Sequence, residues 1–105
     1  WESCFDLIEY MAQHHATLVS TLLEKSESTS GGVLELGCGV GLPAVHALKA
    51  GFRRVDFCDL NGEVLRETTW PNVYLNCADR LADPGVSVRC FAGDWIKLSR
   101  HFEAM

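Results

Sequence analysis

Apolar residues recur at mostly helical intervals from Phe5 to about Leu23, through Ile8, Met11, Ala12, Leu18 and Leu22. That period predicts an amphipathic helix, and Asp6 and Glu9 stand near its start, where negative charge suits the helix dipole. The polar stretch from Lys25 to Gly32, rich in Ser, Thr and Gly, breaks the pattern and reads as a loop. Gly32 to Leu36 is then a short apolar run, the signature of a buried strand, and it opens into Gly37-Cys38-Gly39-Val40-Gly41. Leu42 to Ala50 reads as a helix with Pro43 in its tolerant first turn and Gly51 as its C-terminal cap. Arg54 to Asp59 is a second strand. Asn61 to Asp79 is a helix that Pro71 should kink or interrupt. Pro84-Gly85 marks a turn, Val86 to Phe91 a third strand, and Trp95 to Phe102 a last short helix.

Strands that alternate with helices imply crossover connections and a parallel sheet. The fold class expected is therefore α/β, a Rossmann-like parallel sheet with helices on both faces. Composition agrees with a globular chain: of 105 residues, 48% are apolar and 22% charged, close to the ordinary mix. No apolar run approaches the roughly 18 residues a membrane span needs, and no basic or apolar segment of a signal peptide is visible in the first residues given. The first residue is Trp1 rather than Met, which suggests a start inside a longer protein. The net charge of −5 argues against a surface that tracks nucleic-acid phosphates and is compatible with a basic protein partner. Five cysteines at wide spacing, with no C-x-x-C pair, read as reduced intracellular thiols rather than a disulfide framework or a zinc site; no metal is expected.

The glycine run carries the chemistry. It sits between a strand and a helix, the context that a nucleotide-binding loop requires, and glycines let the backbone turn tightly and approach a ligand. Asp59 ends the next strand eighteen residues after Gly41. An acid there can accept hydrogen bonds from both ribose hydroxyls and would repel a 2′-phosphate; it can equally cap the helix that follows. Gly39-x-Gly41-x-x-Ala44 fits a dinucleotide pattern, so an NAD-type oxidoreductase stays open. Against it, Glu35 lies two residues before the first glycine and no Lys or Arg is near. S-adenosylmethionine carries a sulfonium and an ammonium and no phosphate, so an acid-x-Gly-x-Gly-x-Gly loop suits its charge better. Cys38 lies within the loop, but no His is placed beside it to activate a thiol nucleophile.

These residues resemble motif I and its downstream acid in the class I, seven-β-strand methyltransferases. More closely, Trp1-Glu2-Ser3-Cys4-Phe5-Asp6-Leu7, Val33 through Pro43, Asp59-Leu60-Asn61, Pro71-Asn72-Val73 and Gly93-Asp94-Trp95 resemble the histidine protein methyltransferase family, a neighbour of the lysine-directed methyltransferase-like proteins. The resemblance implies that Trp1, Glu2, Cys4 and Phe5 close over the cofactor. It implies that Gly37, Cys38 and Gly39 meet its methionine part, with Glu35 also among the cofactor-binding residues, and that Asp59, Leu60 and Asn61 hold the ribose and flank the adenine. Gly93, Asp94 and Trp95 would reach the adenine amine and pack on the ring, although Trp95 read alone is as well explained as core. Trp70 has no such role and is expected to pack in the core or at the surface.

The resemblance further implies a cytoplasmic or nuclear enzyme that methylates a histidine of a ribosomal large-subunit protein. A lysine methyltransferase and a non-catalytic cofactor-binding module are the alternatives. It also implies that residues 1–105 form a partial methyltransferase domain, cut before its fourth strand and the acceptor-side motif, with an open sheet edge. Such a piece would bind cofactor weakly at best and would not catalyse.

Overall fold

A computed structural model describes residues 2–25 and 32–104. Trp1 lies outside the described residues, and of Glu2 only the backbone is described. The elements follow the expected alternation: α1 (Glu2–Gln13), α2 (His15–Lys25), β1 (Gly32–Leu36), α3 (Leu42–Lys49), β2 (Arg54–Asp59), α4 (Gly62–Val64), a π-helical turn over Leu65–Thr69, α5 (Trp70–Leu81), β3 (Ser87–Ala92) and α6 (Trp95–Glu103). Among the described residues, no helix is long and apolar enough to cross a membrane.

The three strands form one parallel sheet in the order β1-β2-β3. Val33 and Val88 flank Val55, and Glu35 and Cys90 flank Phe57. Parallel neighbours need crossovers, which α3 provides from β1 to β2 and the α4–α5 segment from β2 to β3. Side chains alternate across a sheet, so Val33, Val55, Phe57 and Val88 share one face. There they meet Val45 and Leu48 of α3 and Val73 and Cys77 of α5 in the apolar core. β2 is the middle strand, and its residues Val55 to Cys58 are all buried. The one charge among these four, Asp56, takes two hydrogen bonds from the Arg89 guanidinium of β3, at 3.0 and 2.9 Å. On the opposite face Phe91 packs against Phe102 and His101 of α6, with ring centroids 4.9 and 5.5 Å apart. Helices thus lie on both faces, and Leu34 and Leu36 of β1 stay half exposed.

Two expectations change in detail. The helix expected over Phe5–Leu23 is two helices that break at His14, although the hydrogen-bond ladder carries on across the break from His14 N–H to Tyr10 C=O and from Leu18 N–H to His14 C=O. The helix around Pro71 is not cut. Proline has no N–H to give the carbonyl four residues back, and the turn before it widens to π spacing: the Trp70 N–H donates to Leu65 C=O, five residues earlier. A second irregularity falls at Cys77, with φ −134° and ψ 26°. Just before it, the Asn76 side-chain amide takes the Asn72 carbonyl at 2.7 Å, the helix-competing bond open to a short polar side chain. Arg80 joins α5 to α3 by donating to Leu48 C=O and Phe52 C=O at 3.1 and 3.2 Å.

Candidate functional site

In an open parallel sheet, ligands bind beyond the carboxyl ends of the strands. Here that edge brings together Gly37 after β1, Asp59 at the end of β2 and Gly93 after β3. Two backbone bonds tie the three segments: Cys38 N–H donates to Cys58 C=O at 2.9 Å and Gly93 N–H to Asp59 C=O at 3.0 Å.

The glycine loop is held by groups on every side. Asp59 Oδ2 accepts the Gly39 N–H and Oδ1 accepts the Asn61 N–H, both at 3.0 Å. The acid therefore clamps the loop rather than capping the next helix, which Asn61 does through its own side chain by accepting the Glu63 N–H at 2.9 Å. Glu35 turns to α3, where its Oε1 accepts the Ala44 N–H at 3.0 Å. Burial raises the Glu35 carboxyl above its ordinary value, and that N–H partly offsets the rise. Gly41 N–H goes to Cys38 C=O at 2.8 Å and Val45 N–H to Gly41 C=O at 2.9 Å, while Pro43 has none. Gly37, Gly39 and Gly41 all lie in the left-handed region, at φ 62°, 52° and 82°, which L side chains avoid. At Gly37 and Gly39 a Cβ would project into open space; at Gly41 it would lie 2.8 Å from the Phe57 ring.

The electrostatics are one-sided. Glu35, Asp59 and Asp94 stand at or near this edge, and no Lys or Arg occurs from Gly32 to Leu48 or from Asp59 to Leu65. Cys38 is buried and its thiol is pushed up to about 12, first by desolvation and further by the nearby Glu35 and Asp59. It is a protonated thiol, not a nucleophile.

Beside the loop the edge is apolar and open. Leu60 is 75% exposed, Trp95 68% and Leu36 50%, so Trp95 is not a core residue. Asp94 begins α6, its Oδ1 accepting the Lys97 N–H at 2.8 Å. Trp70 is partly exposed at 40%. Cys4 and Phe5 lie on α1, which packs along α3, and Phe5 is largely exposed. Two further recesses are present: Met11, His15, Leu18 and His46 line one, and Gly62, Leu65, Arg66, Trp70, Cys90 and Ala92 the other, which borders the end of β3. Among the described residues, no group of three or more His, Cys, Asp or Glu is placed to hold a metal ion.

Two functional-site neighbours escaped sequence reasoning. The Thr69 hydroxyl donates to Gly39 C=O, and the Asn72 amide donates to Val40 C=O at 3.0 Å. Asn72 lies in the Pro-Asn-Val motif already singled out, which offered no role; Thr69, mid-helix, carried no signal at all.

A parallel three-stranded sheet flanked by helices, with an acid-bearing glycine loop at the end of its first strand, is consistent with the N-terminal part of a Rossmann-like methyltransferase. No family model matches the chain. Curated relatives do: it is 41% identical over 76 residues to the mouse protein named histidine protein methyltransferase 1 homolog, 41% over 76 to the rat protein of that name, and 36% over 95 to the one from Dictyostelium discoideum. These stretches cover 72%, 72% and 90% of this chain but only 18%, 18% and 26% of the relatives. The chain is related to the histidine protein methyltransferase family and spans about a fifth to a quarter of the length of the relatives it matches.

Proposed function

We propose that this chain forms the S-adenosylmethionine-binding part of a protein methyltransferase that acts in the cytoplasm or nucleus on a histidine of a ribosomal large-subunit protein. The observation that carries the reading is how the loop spends its N–H groups. A pyrophosphate needs free N–H donors at a helix N-terminus. Of the nine residues from Gly37 to Val45, Cys38, Gly39, Gly41, Ala44 and Val45 give their N–H to protein partners, two of them carboxylates, and Pro43 has none to give. Two acids at the loop, Asp59 on the Gly39 N–H and Glu35 on the Ala44 N–H at the head of α3, with no Lys or Arg in residues 32–48 or 59–65, suit a sulfonium and an ammonium better than a phosphate.

The residues present fit that cofactor. Space lies open before Gly37 and Gly39 for its methionine part. Each Asp59 oxygen accepts one backbone N–H and keeps a second lone pair for a ribose hydroxyl. Leu60, Asn61 and Trp95 offer surface beside the adenine, and Asp94 an acceptor for its amine. When bound, the cofactor supplies an activated methyl group. The protein then has to align donor and acceptor and exclude water. A neutral imidazole nitrogen is nucleophilic near neutral pH, so a histidine acceptor needs no strong base.

Calorimetric titration with S-adenosylmethionine and with NAD tests the cofactor. We expect binding of the first alone, weakened about tenfold or more by Asp59→Ala, the effect of losing charge-assisted hydrogen bonds; binding of NAD alone would overturn the reading. Transfer of a labelled methyl group to ribosomal protein by the full-length protein, followed by hydrolysis, should yield methylhistidine. Recovery of methyllysine alone would defeat the histidine assignment.

A further inference from the structure

The glycine loop is gripped from behind as well as from the sheet. Gly39 has its N–H held by the Asp59 carboxylate at 3.0 Å and its C=O held by the Thr69 hydroxyl. The next carbonyl, Val40, is held by the Asn72 amide at 3.0 Å. Thr69 and Asn72 sit on opposite sides of Pro71, Thr69 closing the π-helical turn and Asn72 standing in the first turn of α5. Widening that turn to π spacing changes which side chains of the helix face the loop.

Thr69 is fully buried. Its hydroxyl has one proton to donate and two carbonyls within reach, Gly39 and, at 3.3 Å, Val64; the nearer Gly39 carbonyl receives it. The Cys38 thiol lies 3.9 Å from the same oxygen and, being protonated, can donate to it. The result is a chain from Cys38 through Thr69 to Gly39. These bonds fix two successive peptide planes, at Gly39 and Val40, and hence the direction in which the open side of the loop faces.

We infer that Thr69 and Asn72 are positioning residues for the cofactor loop, holding the Gly39 and Val40 peptides in the orientation that receives S-adenosylmethionine. The inference rests on the cofactor reading above. Both side chains reach the loop through its backbone carbonyls and act through them.

The test is calorimetric titration of the full-length protein with S-adenosylmethionine, run for the unaltered protein and for Thr69→Val, Thr69→Ser and Asn72→Ala, each at a temperature well below its own melting point. Thr69→Val keeps the buried shape and removes the hydroxyl. We expect it and Asn72→Ala each to weaken binding about threefold to tenfold, the worth of one hydrogen bond. Thr69→Ser, which keeps the donor, should stay within about twofold of the unaltered protein by the same measure. A purely structural role would lower the melting temperature of Thr69→Val yet leave the affinity of the folded protein unchanged, and that result would overturn the inference. So would equal weakening in Thr69→Ser and Thr69→Val. If Thr69→Val does not fold, Asn72→Ala and Thr69→Ser decide the matter by the same criteria. Failure of the unaltered protein to bind S-adenosylmethionine is a different outcome: it removes the cofactor reading and this inference with it.

Discussion

Replacing Gly41 by Ala isolates the loop's steric demand. Gly41 has φ 82°, and an L residue in the left-handed region costs about 1–2 kcal/mol. The added methyl would lie 2.8 Å from Phe57 Cε1, 3.1 Å from Phe57 Cδ1 and 3.1 Å from Thr69 Cγ2. Neither neighbour can swing aside, because both are fully buried in the packed interior; overpacking of that kind costs about 1–3 kcal/mol. Stiffening of the unfolded chain returns about 0.4–1 kcal/mol. The net loss is about 3 kcal/mol. Gly37→Ala is the control. Its φ is 62°, but nothing lies within 4 Å of the new methyl, so only the conformational part remains, about 1 kcal/mol after the same return. Urea unfolding of both variants in the full-length protein, with the slope held common, measures the difference as a shift in midpoint. Gly41→Ala should be about 2 kcal/mol the more destabilised, the overpacking share. Equal losses would refute the reasoning, since they would show that Phe57 and Thr69 yield to the methyl.

Two further outcomes follow from groups near the loop. The Glu35 carboxyl titrates above its ordinary value because burial disfavours its charge. The folded state thus holds the proton more tightly than the unfolded state, and the contribution of Glu35 to stability falls as pH rises from the unfolded value of 4.5 through the raised folded one. Glu35→Gln keeps an oxygen for the Ala44 N–H and cannot ionise, so it should remove that part of the pH slope and leave stability at neutral pH equal or higher. A steeper slope in unfolding midpoints between pH 4 and 7 would contradict this. The Cys38 thiol, pushed up to about 12 and buried, should resist iodoacetamide at pH 8 in the folded protein and react only in denaturant; peptide mass spectrometry reads the site, and alkylation as fast as in a denatured control would count against the assignment.

The alternation of apolar runs with 3.6-residue periods determined the element order, and with it a parallel sheet, because a strand buried on both faces and a one-sided helix have different repeats. Gly32–Leu36 and Arg54–Asp59 are legible to the residue, and Trp95 starts its helix where the pattern says. The glycine run and Asp59 were legible too: a left-handed backbone admits few residues besides glycine, and a strand's last residue falls at the ligand edge in any parallel sheet.

Contacts between distant segments were not legible. No local rule states that Glu35 would reach Ala44, that Asp59 would take the Gly39 N–H, or that Trp95 would stay in solvent. Thr69 and Asn72 lie 30 and 32 residues from the carbonyls they hold. They reach them because Pro71 widens the preceding turn to π spacing and the sheet brings α5 against α3. Periodicity is a property of neighbours along the chain and is written in the sequence. The hydrogen bonds that shape the loop join residues made adjacent only by packing, and the tertiary structure alone decides them.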